Sequence, residues 1–286
     1  MYPDAQPRNC AARMRVATHA CLSRDPRYCV LVYVEFIIIA LFCSSNEGHV
    51  SPKSAIPKNA DYHHGNLRNA LVEAGRSALM EVSAQDLSLR YLARMVGVSE
   101  AAPSRHFSGI DELLATIAAS GYRDLAALRV AIRDSEDTAL AKAYRMMRVY
   151  VEFAQRQNGL FSLMIGPRIV AHQAYPELAE ESNRSFGLFS ETIEALAIES
   201  GWAASDLKLV THAAWSMEHG LATLILANRA PRADTKVAVP KLIDFVVMTL
   251  LGAITAGPDQ LQSVTDQCAA FQKSAVTRTA RKRAKA

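Results

Sequence analysis

Leu89-Arg90-Tyr91-Leu92-Ala93-Arg94-Met95-Val96-Gly97-Val98-Ser99 holds one short helix, its stop signal and the start of the next element. Leu89, Leu92, Ala93 and Val96 recur at three- and four-residue spacing, which builds a single apolar helical face. Gly97 follows where a left-handed residue must end the helix, a conformation that costs glycine least. Val98 supplies an apolar hinge, and Ser99 stands where an N-cap opens another helix. Two short helices joined by a tight glycine turn make a helix-turn-helix.

Working outward, the same periodicity continues on both sides. Leu67, Ala70, Leu71, Ala74, Ala78, Leu79 and Val82 give a first helix its buried stripe. Ser88 caps the second helix. Ser99 caps a third that runs to about Phe107, with Pro103 near its first turn, where a missing N–H is tolerated. Leu114, Ile117, Leu125, Leu128 and Ile132 stripe a long fourth helix that joins two domains. Further helices are expected near 138–157, 177–200, 205–228, 239–256 and 258–272, punctuated by Gly159, Gly166-Pro167, Gly201, Pro231 and Gly257-Pro258. There is no alternating strand pattern, internal repeat or glycine-rich phosphate loop. The fold class is therefore all-α.

The 286 residues suffice for two domains with a real core, and their net charge of +4 is unevenly placed. Residues 1–60 carry +3 and the tail 273–286 carries +6, which leaves −5 for the body between. Residues 57–108 hold six Lys/Arg against five Asp/Glu, so affinity for DNA must come from placed contacts and a dimer, not from bulk charge. Four of the five cysteines lie before residue 50, in no zinc-binding spacing; Cys268 alone falls in the body, which suits a reducing cytoplasm. No nucleophile motif, metal helix or positioned carboxylate pair suggests an enzyme or a cofactor.

Asp61-Tyr62-His63-His64-Gly65-Asn66-Leu67-Arg68, the run from Ser88 to Ser99, and Ala101-Ala102-Pro103 through Arg105-His106-Phe107 resemble the TetR/AcrR family of transcriptional regulators. Downstream, Trp215-Ser216-Met217-Glu218-His219-Gly220-Leu221 is similar to the Trp-His-Gly motif of one subgroup's C-terminal domain. The resemblance implies a three-helix DNA-binding domain (61–108), joined by a long helix to a helical effector-binding and dimerisation domain (109–272). It further implies a homodimer on double-stranded operator DNA, released by a small-molecule effector, and most often a repressor. Three positions depart from the family pattern. Ser104 stands where a phosphate-contacting Tyr is common, Ile110 where a Lys is common, and Tyr91 where a Glu would complete a capping box.

The candidate DNA-binding residues are Arg68, Ser88, Arg90, Ser99, Glu100, Ala101, Ser104, Arg105 and His106. The second helix of such a motif enters the major groove, where Arg105 can grip a guanine or a phosphate and Glu100 can accept from cytosine. Each of these side chains could equally be a solvated helix residue. Phe153, Phe161, Met164, Trp215 and His219 are the candidate effector-pocket residues, with plain core packing as the alternative. Leu207, Val210, Ala214, Met217, Leu221 and Leu224 form one apolar face of a helix, and His212, Trp215, His219 and Ala222 another. A helix apolar nearly all round is buried on two sides, so one face is expected on a partner subunit. Leu221 and Val247 are placed in that interface, and Val239–Ile254 reads as its second helix.

Residues 1–60 differ in character and read as a non-core extension, disordered or ahead of the true start. Cys29–Cys43 is apolar apart from Glu35, yet shorter than the roughly 20 residues of a membrane helix. No membrane partner is expected. The basic residues from Lys273 onward read as a disordered tail. Two rival functions remain: a membrane-tethered helical sensor anchored by Cys29–Cys43, and a helical binding protein that has lost DNA binding.

Overall fold

The computed structural model describes residues 67–166, 169, 172–232 and 234–283. The extension 1–60, with its apolar run, and the Asp61–Asn66 part of the first motif lie outside them. Among the described residues the ordered elements are helical: α1 (Leu67–Ala78), α2 (Leu89–Val96), α3 (Ile110–Arg133), α4 (Ala139–Arg156), α5 (Asn158–Ile165), α6 (Pro176–Glu199), α7 (Leu207–Leu226), α8 (Val239–Thr255) and α9 (Gly257–Arg283). Single 3-10 turns stand at Pro103–Arg105 and His172–Ala174. No strand occurs among them.

The capping chemistry of α2 is the one its sequence predicts. Ser88 is extended, and its Oγ accepts from Tyr91 N at 3.1 Å. Gly97 adopts φ 79° and ψ 28°. Its N–H reaches the Arg94 carbonyl and that of Val98 the Ala93 carbonyl, the paired bonds of a Schellman stop. A Cβ here would meet no neighbour, so conformation alone demands the glycine.

The third element departs from expectation. Instead of an α-helix from Ser99 to about Phe107, the chain makes a turn and one 3-10 turn over Pro103–Arg105. Pro103 has no N–H to donate four residues back to the Ser99 carbonyl. Ala102 N takes that oxygen at 3.0 Å in a tighter bond, and Arg105→Ala102 and His106→Pro103 keep the three-residue step. No side chain caps this element, so Ser99 is not the N-cap its position suggested.

Long helix α3 runs from one domain into the other. Leu114, Ile117, Leu125 and Ile132 are buried along it, as the stripe predicts, with Leu128 only partly covered. α1 packs on α3 and on α2, and α6 lies along α3. α4 and α7 pair, α8 closes over both, and α4 also touches α6. Arg148 and Tyr144 of α4 both engage Asp244 of α8, and Trp202 donates to the Ile254 carbonyl at 2.8 Å. α5 is a separate helix: Gln157 breaks the α4 ladder at φ −119°, ψ 45°. Gly159, just inside α5, lies directly under the Leu79 carbonyl at the end of the DNA-domain helix, where any β-carbon would overlap that oxygen.

Two further differences concern the C-terminal helices. Leu221 (6% exposed) and Val247 (0%) are core residues of their own chain, not interface residues. The apolar groups left in solvent are Leu209, Trp215 and Leu224 on α7, and Phe245 and Met248 on α8. Both helices are apolar nearly all round, so periodicity could not say which face stays at home. α9 continues to Arg283 instead of ending near 272, because past Pro258 the sequence has no helix breaker and is rich in Ala, Lys and Arg. No single described helix is long and apolar enough to cross a membrane; α8 and α9 reach that length only as a pair bent by 99°.

Candidate nucleic-acid interface and effector-domain interior

Pro103 and Phe107 are buried and hold the turn between them against α1 and α2. That anchoring leaves Ser99, Glu100, Ala101, Ser104 and Arg105 on the outside, with His106 partly covered. Beside them, Arg90 and Arg94 project from α2 and converge on Glu100: Arg90 Nε lies 3.5 Å from one carboxylate oxygen and Arg94 Nη1 3.4 Å from the other. Arg94 was not among the sequence-derived candidates; its spacing of four from Arg90 was the available signal.

Two candidates face elsewhere. Ser88 spends its side chain on the helix cap. Arg68 turns toward the seam between the domains, donating to Glu177 Oε2 at 3.1 Å and Thr116 Oγ1 at 3.3 Å, with its guanidinium 5.3 Å above the Phe107 ring. Glu177 is shared with Arg123, which also binds Glu181. Arg76 is likewise tied to Asp124 and Ser120 of α3. At the start of α3, Ser108 donates from both N and Oγ to Glu112, and those bonds hold the Glu112 carboxyl below its ordinary range.

In the C-terminal domain, three of the five pocket candidates fall in one chain of rings. Phe161 meets Tyr150 edge-on at 5.2 Å, Tyr150 OH bonds His219 Nδ1 at 2.8 Å, and Trp215 lies 5.8 Å from His219. Trp215 continues the chain to Phe186. Met164 is buried against Gly121, and its carbonyl accepts from Tyr122 OH. Phe153 is buried core away from these ring contacts. Desolvation lowers the His219 pKa, and burial raises that of Tyr150.

A buried ion pair at the centre of this domain was not anticipated from sequence. Arg129 of α3 donates to the Ser185 carbonyl (2.8 Å), Ser185 Oγ (3.1 Å) and Glu218 Oε1 (3.2 Å), between the faces of Phe189 and Tyr150. The side chains are 4% and 0% exposed. Burial pushes the Glu218 carboxyl upward, and the guanidinium partly offsets that push. Among the described residues, Glu218 Oε2, Arg129 Nε and Thr211 Oγ1 have no hydrogen-bond partner. The available clue was a carboxylate inside an apolar helix and an arginine on an apolar stripe. Among the described residues no group of three potential metal ligands forms.

Comparison with known proteins agrees with this architecture. Residues 138–250 match the family described as the tetracyclin repressor-like C-terminal domain. An HTH-type transcriptional regulator of Mycobacterium tuberculosis is 32% identical over 148 residues, which cover 49% of this chain and 58% of that protein. The chain thus spans little more than half the length of that relative. The structure of a protein of unknown function from Rhodococcus sp. RHA1 superposes with a TM-score of 0.56 at 28% identity, over 69% of this chain and 97% of that one. A putative transcriptional regulator from Pseudomonas aeruginosa PAO1 shares the fold at TM-score 0.54 and 18% identity, over 69% and 94%. The chain is thus similar to TetR-type regulators, over residues 138–250 by the family match and over about half its length by the curated relative.

Proposed function

We propose that this chain is a TetR-family, cytoplasmic, ligand-responsive transcriptional regulator that binds operator DNA as a homodimer, acting as a repressor released by a small molecule. The observation that carries the reading is the exposed turn Ser99–Arg105, pinned from beneath by Pro103 and Phe107 and fixed in register by the capped helix α2. Its solvent side offers hydroxyls, a carboxylate and a guanidinium, the groups that read base edges and phosphates. The apolar residues Phe245 (70% exposed) and Met248 (60%) on α8, with Leu209 and Trp215 on α7, support a second copy as the partner for that face. The ring chain from Phe161 to Trp215, beside the buried Arg129–Glu218 pair, supports an effector site in the same domain. A ligand there would shift the population toward a subunit geometry that no longer matches successive major grooves.

Electrophoretic mobility shift with the DNA upstream of the coding region tests this reading. The dimer is expected to prefer a palindrome-like site over scrambled DNA. Arg105→Ala should weaken operator binding by roughly 1–3 kcal/mol and relax preference at one position per half-site. Equal binding of operator and scrambled duplexes by the wild-type protein would overturn it.

A further inference from the structure

The exposed charges beside the reading turn form a definite constellation. Arg90 and Arg94 stand four residues apart on one face of α2, where like charges repel and weaken a helix. An anion between them removes that cost, and Glu100 supplies one, with each guanidinium taking a different carboxylate oxygen. The domain's other helix-borne arginines are committed elsewhere: Arg68 to Glu177 and Arg76 to Asp124. Arg90 and Arg94 are thus a matched pair of donors aimed at a single two-oxygen anion, held at Glu100 in the turn that leads to Ser104 and Arg105.

We propose that Arg90 and Arg94 form a seat for one phosphate of the DNA backbone, and that Glu100 fills this seat in the free protein as a built-in substitute for it. The inference rests on the DNA-binding reading above. A phosphodiester presents two non-bridging oxygens to the guanidinium groups much as a carboxylate does. The exchange is open to solvent, since the three side chains are 77%, 65% and 51% exposed, and ion pairs so placed hold weakly. Glu100 must give way whenever a duplex docks, whatever its sequence. It is therefore a positioning residue that holds the two arginines ready and lowers affinity for all DNA, while base discrimination stays with the turn that follows.

The test is a charge cycle on the full chain, using the wild type, Glu100→Gln, the double variant Arg90→Gln/Arg94→Gln, and all three changes together. Each is measured against operator and scrambled duplexes at two salt concentrations, and by the salt needed for elution from heparin. Glu100→Gln should tighten both duplexes about two- to fivefold at low salt, the range expected for one exposed charge, with less gain at high salt. It should also elute later from heparin. With both arginines replaced, the Glu100→Gln gain should vanish. A gain of equal size without the arginines would mean that the carboxylate merely repels the polyanion, and the seat would be overturned. So would unchanged binding in Glu100→Gln when the wild type binds. If no variant binds either duplex yet heparin elution follows the cycle, the seat stands and the DNA reading fails. Thermal melts of all four proteins check that folding is unaffected.

Discussion

Two of this molecule's arginine–carboxylate contacts lie under opposite conditions. On the DNA-domain surface, Arg90 and Arg94 hold Glu100 in water, where such contacts contribute about 0–1 kcal/mol and exchange readily. Inside the effector domain, Arg129 and Glu218 face each other with almost no exposure, walled by Phe189 and Tyr150. There the loss of either partner strands a charge that cannot reach water. The same two functional groups are an exchangeable contact in one place and a fixed internal reference in the other. Solvent access decides which.

The largest expected effect lies in the interior. Arg129→Met or Glu218→Leu alone should each cost about 3–5 kcal/mol, while the two together should be near neutral or stabilising. Urea denaturation of the three variants checks this, and a loss in the double equal to the sum of the two single losses would show that the pair does not act as a unit.

A second contrast separates core from docking face on one helix. Val247→Glu buries an unpaired carboxylate within the subunit and should prevent stable folding, whereas Phe245→Glu should leave the subunit folded and shift the dimer toward monomer. Sedimentation combined with circular dichroism distinguishes these outcomes. A folded dimer in Phe245→Glu would place the subunit interface elsewhere.

The smallest effect concerns two serines in the DNA domain. Ser88→Ala should lower stability by about 1 kcal/mol through the lost cap, and Ser99→Ala should leave it unchanged because no cap forms there. Matching losses in thermal melts would show that Ser99 does cap in solution.

Where chemistry is local, the sequence was readable. Ser88 and Gly97 bound α2 through bonds to residues three to five positions away, and the stripe of α3 reports burial directly. Pro103 was visible too, but its effect depends on whether the missing N–H falls at a helix start or a step inside it, a difference of a residue or two. What escaped was decided by distant partners. Arg129 and Glu218 lie 89 positions apart, and each alone looks like a surface charge strayed into a stripe. Arg68 looked like a phosphate ligand until Glu177, 109 positions away, was seen to claim it. The faces of α7 and α8 could not be sorted because both sides are apolar, and only the packing of α4 and α6 against them shows which side the subunit keeps.

The contact of Gly159 with the Leu79 carbonyl gives the seam between the domains a mechanical character. Main chain bears on main chain there, with no rotamer between them to yield, so a push from α5 arrives at the end of α1 undamped. A pull is different, because among the described residues no hydrogen bond links Gly159 to the Leu79 carbonyl. Such a bearing is stiff in compression and slack in tension. Motion of α5 toward α1 would drive the reading domain, and motion away would simply release it.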